Sequence, residues 1–225
     1  MLLKLSDAHK HVTLPDGGDL HVVQGASLAL SAGESVGILG RSGSGKSTLL
    51  GMLGLIDGLS SGSYRVDGRE TTRLGDREIA RLRATTFGFV YQRFCLMHTL
   101  SALKNVEAPL LYSGCPAQLR RRTAQEALER VGLSARAHHR PERLSGGEQQ
   151  RVAIARALVH CPRVILADEP TGSLDVATGG DVLTLLTDLV RDAGVALVVV
   201  THDPQIAARL DRTVEMTDGR LQEPR

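Results

Sequence analysis

The residues with the clearest chemistry form a glycine-rich run that ends in lysine and serine. Residues 40–47, here called the phosphate loop, read Gly-Arg-Ser-Gly-Ser-Gly-Lys-Ser and match GxxxxGK[ST] at every fixed position. Glycines let backbone N–H groups curl around a phosphate, lysine places a cation near the β- and γ-phosphates, and the serine hydroxyl is a Mg²⁺ ligand. The run predicts a nucleotide-phosphate site whose candidate contacts are Gly40, Arg41, Ser42, Gly43, Ser44, Gly45, Lys46, Ser47 and Thr48.

Two adjacent carboxylates, Asp168 and Glu169, follow the apolar run Val-Ile-Leu-Ala that begins at Val164. Neighbouring side chains of an extended chain point to opposite sides, so the two carboxylates can take different roles. We expect Asp168 to hold magnesium and Glu169 to orient and activate an attacking water. The alternative is that the pair only caps the next turn; the phosphate loop upstream favours the catalytic interpretation.

A second anion site is predicted at residues 144–149, Leu-Ser-Gly-Gly-Glu-Gln, here called the serine–glycine segment. It introduces a helical stretch, and the free N–H groups and dipole of a helix N-terminus favour an anion. Ser145 adds a hydroxyl, Gly146 and Gly147 allow close backbone approach, and Glu148 completes the first turn. Ser145 and Glu148 also fit a simple helix cap, but capping does not explain two consecutive glycines, which are poor helix formers.

The elements that must position these residues alternate between strand and helix. Residues 35–39 form an apolar run that leads into the phosphate loop, and a helix is expected at 46–55. The first ~35 residues read as short strands joined by a turn at 15–18, Pro-Asp-Gly-Gly. Continuous Val/Ile/Leu runs suit parallel strands covered on both faces, so the fold class is α/β. Further strands are predicted at 87–91, 164–167 and 196–201, and further helices at 117–131, 147–158 and 177–193.

Composition limits the classes of function. The chain has 225 residues, enough for one domain with an insertion, and its net charge of +2 does not suggest a nucleic-acid partner. The three cysteines form no CxxC pair, which argues against a zinc site or disulfide framework and favours a reducing cytosol. The longest apolar run, residues 195–200, is far shorter than the ~18 residues of a membrane span. No signal peptide is expected.

Taken together, the motifs resemble those of ABC ATPases, in the same order and over essentially the whole chain. The resemblance implies a P-loop NTPase (RecA-like) parallel-sheet core with an N-terminal antiparallel β subdomain and an inserted α-helical subdomain. It implies one nucleotide-binding domain over residues 1–225, with a core at about 1–91 and 162–225 and a helical subdomain at about 92–161. The motifs that carry the resemblance are the phosphate loop, Gln92, residues 144–149, Asp168 with Glu169, residues 173–175 (Ser-Leu-Asp) and His202.

The resemblance also implies a cofactor, ATP with Mg²⁺, and roles for single residues. A lone histidine or glutamine is more often an ordinary surface group, and only its place in the motif set supports a role. Two domains are expected to pack head to tail, so that Lys46 and Ser145 of one chain serve different ATP molecules and Asp175 works across the contact. The implied catalytic residues are Glu169, His202, Gln92 and Lys46; the implied magnesium ligands are Ser47, Gln92 and Asp168.

Five further segments resemble the lipoprotein-release and macrolide-export (mechanotransmission) branch of that family. They are residues 88–92 (Gly-Phe-Val-Tyr-Gln), 105–106 (Asn-Val), 151–158, 167–172 and 200–203. This implies an ATPase at the cytoplasmic face of the membrane, attached only through a separate permease that exports or extracts a lipoprotein, drug, peptide or haem type of cargo, and no nucleic-acid partner. The alternative is a mechanical signalling ATPase that regulates a cell-wall or periplasmic enzyme through its membrane partner. ABC proteins that act on DNA or ribosomes usually carry coiled-coil insertions, tandem domains or basic extensions, which this sequence does not show.

Two departures from the branch pattern lead to expectations. Many members place an aromatic residue ~30 residues before the phosphate loop to stack on adenine, whereas this chain has Val12 there, beside His11; which of the two contacts adenine stays open. Because base stacking contributes ~1–3 kcal/mol in nucleic-acid systems, we expect loose base selection, with GTP hydrolysed at a rate comparable to ATP. Lys104 replaces the usual glutamate in the segment 93–106 expected to dock a permease helix, which predicts an acidic residue on that helix.

Overall fold

The computed structural model describes residues 1–15, 17–112 and 115–222. The chain divides into two compact units, Met1–Arg83 with Ala196–Arg225, and Ala84–Val195. The division expected from the resemblance, a core at 1–91 and 162–225 and a helical subdomain at 92–161, stays a prediction.

The first unit contains an antiparallel sheet built on two long strands. β1 and β2 span 11 and 12 residues, so the prediction of short strands was wrong. Breaks in the pairing register between Leu5 and Ala8 and between Ala8 and Lys10 interrupt the apolar alternation that would otherwise have indicated one long strand. Asp16, in the predicted turn, lies outside the described residues. The strand order is β2-β1-β4-β5, with bounds β1 Leu3–Thr13, β2 Asp19–Leu30, β4 Ser61–Val66 and β5 Arg69–Glu70.

The first unit also contains four strands ordered β10-β9-β3-β8, of which β9, β3 and β8 are parallel. Register pairs Leu39 with Thr201, so the phosphate loop and His202 start at the same sheet end. The helix after the loop ends at Leu53, two residues before the predicted limit. The bounds are β3 Ser35–Leu39, β8 Ala196–Thr201, β9 Arg212–Thr217, β10 Arg220–Gln222, α1 Lys46–Leu53, α2 Asp76–Thr86, which contains the boundary between the units, and α7 Pro204–Ala207.

The second unit consists of two parallel strands and a set of helices. Register pairs Tyr91 with Asp168, so the segments that begin at Gln92 and Glu169 leave the strands at the same end. Ile154, Ile165 and Leu166 are fully buried in its core. The bounds are β6 Phe87–Tyr91, β7 Val164–Asp168, α3 Ala102–Glu107, α4 Ala117–Arg130, α5 Gly146–Leu158 and α6 Val176–Asp192, with 3₁₀ turns at Ala108–Tyr112, Ser134–Arg136 and Pro141–Arg143.

These elements confirm the α/β class. Strands β3, β6 and β8 have the predicted bounds; α4 and α5 differ from theirs by one residue at one end, and α6 by one residue at each end. The short strands β4, β5, β9 and β10 and the helices α2, α3 and α7 were not predicted. Helix α3 is the short polar sequence Ala-Leu-Lys-Asn-Val-Glu, which is too short to show a clear helical periodicity. The position of this helix depends on the Ser101 cap and on packing.

Candidate functional site

The phosphate loop forms a compact turn in the first unit. The Gly40 N–H donates to the Thr201 carbonyl at 3.1 Å, which anchors the start of the loop to the end of β8. Lys46 folds back over the loop, and its Nζ donates to the carbonyl oxygens of Gly40 at 2.7 Å and Arg41 at 2.9 Å. Lys46 is 7% exposed although it is cationic, so its charge is held next to the concave side of the loop.

Two glycines of the loop are required by its conformation. Gly45 has φ 101°, and a Cβ there would lie 2.6 Å from the Val22 carbonyl oxygen. Gly43 has φ 80° and open space around it. Both φ values lie in the region that residues with a Cβ rarely adopt, so the loop uses glycine for its bend and for close approach to β2.

The loop contains free donors suited to an anion. Gly45 precedes α1 in a left-handed conformation, and no side chain caps the helix N-terminus, which leaves N–H groups of the first turn for a ligand. The Ser44 hydroxyl is buried and has no hydrogen-bond partner among the described residues. Ser47, in the first turn of α1, is exposed. Together with Lys46, these groups fit a nucleotide phosphate.

The first unit also holds His202 and the β1–β2 hairpin. His202 is exposed and directly follows β8. The rings of His11 and His21 lie opposite each other on the paired strands, tilted by 58° with 6.1 Å between centroids. Val12 pairs with Leu20, and these two side chains are 46% and 51% exposed. The hairpin therefore has two imidazole rings at one cross-strand pair and two exposed aliphatic side chains at the next pair. Contact of His11 or Val12 with adenine stays a prediction.

In the second unit, Gln92 and the acidic pair lie at one end of β6 and β7. Asp168 is the last residue of β7, but Glu169 has φ 45°. The expected alternation along an extended chain was therefore wrong at Glu169, because its backbone turns into the left-handed region instead. The turn is closed by the Gly172 N–H, which donates to the Glu169 carbonyl at 3.0 Å. Asp168 and Glu169 each make a further interaction within the chain.

Gln92 is attached to the chain that follows Glu169. The Ser173 hydroxyl donates to the Gln92 carbonyl at 2.8 Å. A Cβ at Gly172 would lie 2.8 Å from the Gln92 amide nitrogen, so a glycine is needed there for the Gln92 side chain to lie against the turn. The predicted catalytic residues Gln92 and Glu169 thus belong to two connected turns.

The serine–glycine segment forms the predicted cap of α5. The Ser145 hydroxyl accepts from the Glu148 N–H at 3.2 Å, and the Glu148 carboxylate accepts from the Ser145 N–H at 2.8 Å. This backbone bond lowers the pKa of Glu148, burial opposes it, and the Arg136 guanidinium lowers the pKa further. A Cβ at Gly147 would lie 2.5 Å from Thr178 of α6. Close packing on α6 therefore favours a glycine at position 147, in addition to its predicted role in letting the backbone approach a phosphate.

Asp175 caps α6 and lies close in sequence to the turn after Glu169. Its carboxylate accepts from the Thr178 N–H at 3.0 Å, and hydrogen bonding from Thr178 lowers the pKa of Asp175. The next residue, Val176, is 93% exposed. A role for Asp175 across a contact with a second chain stays a prediction.

Sequence reasoning missed two polar residues of α5 that position the turn containing Gln92. The Gln150 amide donates to the carbonyls of Tyr91 and Pro170. The Arg156 guanidinium donates to the Phe94 carbonyl at 2.7 Å and the Cys95 carbonyl at 2.5 Å. Burial lowers the pKa of Arg156. The feature of the sequence that could have indicated them is a glutamine and an arginine among the apolar residues of α5.

Lys104 has a partner within the chain. Its Nζ lies 2.7 Å from the Glu107 carboxylate, which is also 3.8 Å from the Arg120 guanidinium. Glu107 is 5% exposed, so Lys104 neutralises a buried acid of α3. The expected acidic residue on a permease helix stays a prediction, and the pair with Glu107 accounts for the Lys104 charge without it.

The described residues contain neither a cluster of metal-binding side chains nor a membrane-spanning helix. No group of three or more His, Cys, Asp or Glu residues there could hold a metal ion. Of the predicted magnesium ligands only Asp168 is of these types, since Ser47 would bind through a hydroxyl and Gln92 through an amide oxygen; all three stay a prediction. No helix within residues 1–15, 17–112 and 115–222 is long and apolar enough to cross a membrane.

Comparison with known protein families gives one matching description. The sequence model of the family described as "ABC transporter" matches residues 23–172. Among characterised proteins, the macrolide export ATP-binding/permease protein MacB 1/2 of Paracoccus denitrificans is 55% identical over 208 residues, which are 92% of this chain and 31% of that protein. The probable syringafactin export ATP-binding/permease protein SyfD of Pseudomonas syringae is 50% identical over 203 residues, 90% of this chain and 31% of that protein. The chain thus spans about a third of the length of these relatives.

A solved structure covers nearly the whole chain. The dimeric post-hydrolysis structure of the ATP-binding cassette MJ0796 bound to ADP and Pi is 39% identical, with a TM-score of 0.90 over 99% of this chain and 97% of that one. A second dimeric structure of MJ0796, described as a bacterial ABC transporter cassette, gives the same values. The likeness extends over both units and includes the antiparallel strands and the helices.

Proposed function

Because the chain belongs to the ABC transporter family, as one of its nucleotide-binding ATPase domains, we propose that it drives a separate membrane permease by ATP hydrolysis. The permease exports or extracts a hydrophobic or amphipathic cargo, of the kind for which the macrolide and syringafactin exporters are named. The chain acts at the cytoplasmic face of the membrane and is attached only through the permease. The observation that carries the proposal is the phosphate loop, with Lys46 bonded to the Gly40 and Arg41 carbonyls beside uncapped N–H groups.

ATP is the nucleotide, and two copies of the chain bind two ATP molecules head to tail. Lys46 and the loop N–H groups stabilise the charge that develops on the phosphates. Ser145, Gly146 and Gly147 of the second copy contact the γ-phosphate through the α5 N-terminus. Dimeric MJ0796 cassettes support the pairing of two chains. In an isologous dimer of this kind, both chains contribute the same surface to the contact, so each contact occurs twice.

In the hydrolysis step, Glu169 accepts a proton from the attacking water while His202 donates a hydrogen bond to the γ-phosphate. Gln92 orients the water and reports the state of the permease. Ser47, Gln92 and Asp168 would hold Mg²⁺, which when bound supplies positive charge at the β- and γ-phosphate oxygens. The hydrogen bond between Gly172 and Glu169 closes a turn that fixes the backbone of Glu169. A carboxylate is a weak base, so its contribution depends on being held in the right position.

The catalytic assignment is tested with Glu169→Gln. We expect this variant to bind ATP with near-normal affinity, to lose steady-state hydrolysis by roughly 10²–10⁴-fold, and to accumulate as an ATP-dependent dimer on size exclusion. Glu129→Gln, an exposed carboxylate of α4, is the matched control and keeps wild-type turnover. Near-normal hydrolysis by Glu169→Gln would remove Glu169 from the reaction.

The permease part is tested separately. We expect affinity purification in mild detergent, followed by mass spectrometry, to recover a membrane-spanning protein together with this chain, and reconstitution with it to change the ATPase rate. Recovery of a cell-wall or periplasmic hydrolase with that membrane protein would instead support the signalling function. An ATPase rate that no membrane partner alters would refute coupling.

A further inference from the structure

One buried side chain of α5 contacts both turns that carry the proposed catalytic residues. Gln150 is 0% exposed. Its amide nitrogen lies 2.5 Å from the Pro170 carbonyl and 3.4 Å from the Tyr91 carbonyl. Tyr91 directly precedes Gln92, and Pro170 directly follows Glu169. A single amide therefore joins the backbone on either side of the proposed catalytic machinery.

Burial of this amide is costly, which argues for a specific role. Its oxygen is buried without a hydrogen-bond partner among the described residues, and a lost buried hydrogen bond is unfavourable. Neighbouring positions of α5 hold small or aliphatic side chains that are also buried, among them Val152, Ala153 and Ile154. An aliphatic residue at 150 would avoid the cost, so packing alone does not explain a glutamine here.

The same helix begins at the serine–glycine segment. The reciprocal bonds of Ser145 and Glu148 fix the first turn of α5, and Gln150 follows within the second turn. At ~1.5 Å rise per residue, the two positions lie ~7–8 Å apart along one hydrogen-bonded element. A shift of the helix start is therefore passed on to Gln150 as a rigid displacement.

The turns that Gln150 contacts are also bonded to each other. The Ser173 hydroxyl donates to the Gln92 carbonyl, and Gly172 leaves room for the Gln92 side chain. Arg156 adds a second connection from α5 to the residues after Gln92. Gln150 differs from Arg156 in reaching both turns, since its second acceptor lies beside Glu169.

We propose that Gln150 is a positioning residue that couples the two ATP sites of the dimer. This inference rests on the proposed head-to-tail arrangement, in which Ser145 contacts the nucleotide of the second chain whereas Gln92 and Glu169 act on the nucleotide of their own. Engagement of the second chain's γ-phosphate sets the position of α5. Gln150 transmits that position to the carbonyls beside Gln92 and Glu169, so each site becomes competent only when the other is occupied.

The test compares Gln150→Met with the wild-type chain. Methionine has a similar length and no donor, so it keeps the volume and removes both bonds. We expect the Hill coefficient of ATP hydrolysis to fall from above 1 to about 1 and kcat to fall roughly 10- to 100-fold, the scale of a small misplacement of catalytic groups. Affinity of the monomeric chain for one nucleotide should stay unchanged. Gln150→Asn, which keeps the amide but is too short for both carbonyls, gives the same readout if Gln150→Met is not folded.

Asn105→Met is the matched control. Asn105 is likewise 0% exposed in the same unit and donates to the carbonyls of Met97, Leu100 and Ser101, so its loss lowers stability without touching either turn. We expect its Hill coefficient to equal that of the wild-type chain. A cooperative wild-type chain together with an equally cooperative, equally fast Gln150→Met variant would overturn the coupling. Absence of ATPase activity in the wild-type chain would instead overturn the proposed function.

Discussion

The phosphate loop of the first unit and the turns at Gln92 and Glu169 in the second both follow parallel strands, but they are held in different ways. Within the loop, Lys46 donates to carbonyls only six and five residues earlier in the chain. At the other turns, Gln150 donates to carbonyls 59 and 20 residues away, and Arg156 to carbonyls 61 and 62 residues away. The side-chain bonds of the loop are thus local, with the Gly40 N–H bonded to the Thr201 carbonyl as an outside anchor, whereas the side-chain bonds of the second region come from one distant helix.

This difference predicts where each region is vulnerable. Substitutions inside the loop should damage nucleotide binding directly, because the proposed phosphate contacts belong to the loop itself. The second region should be sensitive to changes in α5 and at its contact with β6, far from the reacting groups. Three substitutions separate these expectations.

The largest effect is expected for Gly45→Ala in the phosphate loop. A Cβ at φ 101° would lie 2.6 Å from the Val22 carbonyl oxygen, and such strain costs ~1–3 kcal/mol before the collision is counted. The free loop relieves it by leaving the binding conformation, so the affinity for a fluorescent ATP analogue should fall about 100-fold or more. Gly68→Ala has φ 77° and nothing within 4 Å, and should be mildly destabilised with normal affinity. Equal affinity in both variants would show that the binding conformation of the loop does not need a glycine at position 45.

A smaller effect, on stability, is expected for Gly88→Ala in β6. A Cβ there would fall on the Ala157 carbonyl oxygen of α5 and lie 2.6 Å from Ile165. The added methyl group should push β6 away from α5 and lower the free energy of unfolding, measured in urea, by about 1–3 kcal/mol. Because Gln92 continues from β6, kcat should fall while nucleotide affinity stays near normal.

The control for Gly88→Ala is Gly180→Ala in α6, where a Cβ meets nothing within 4 Å. Alanine in that helix should stabilise the chain by ~0.5–1 kcal/mol. If Gly88→Ala left both stability and kcat unchanged, the close packing of α5 on β6 would not control the second region.

The same contrast explains how much could be predicted from the sequence. The phosphate loop and the cap formed by Ser145 and Glu148 are local, so short patterns predicted them. The strand bounds of β3 and β8 followed from continuous apolar runs. The resemblance grouped Gln92, Asp168 and Glu169 as one set; the register of Tyr91 with Asp168 puts their segments at the same strand end, and their shared role stays a prediction.

The remaining features depend on contacts that no short window contains. The left-handed backbone of Glu169 arises where β7 ends and the Gly172 turn begins, whereas the residue types alone suited an extended strand. Gln150 and Arg156 looked like ordinary polar residues on a helix, because their acceptors are carbonyls, which leave no trace in the amino-acid pattern. The pairing of Lys104 with Glu107 was visible at helix spacing but became relevant only once Glu107 proved buried.

The smallest expected effect concerns pH and the far end of the α5–β6 contact. His160 follows α5, and its Nε2 lies 3.1 Å from the Phe87 carbonyl at the start of β6. Since that oxygen only accepts, Nε2 carries the proton of the neutral ring. Nδ1 is buried with no partner among the described residues, so a second proton there would be unpaired. Burial therefore lowers the pKa of His160 below its ordinary value, although the bond to Phe87 opposes the shift.

A lowered pKa in the folded state means that the unfolded chain takes up the proton first as pH falls. The His160 contribution to stability is thus fully present above the ordinary histidine pKa of ~6.5 and is lost as pH falls below it towards the lower folded pKa. In urea unfolding between pH 8 and 5, His160→Gln, which keeps a donor for Phe87 without titrating, should lose less stability over this interval than the wild-type chain. His138→Gln, at an exposed position, should follow the wild-type curve. Parallel curves for His160→Gln and the wild type would mean that α5 holds β6 through Gln150, Arg156 and close packing alone, and that the contact at Phe87 is indifferent to charge.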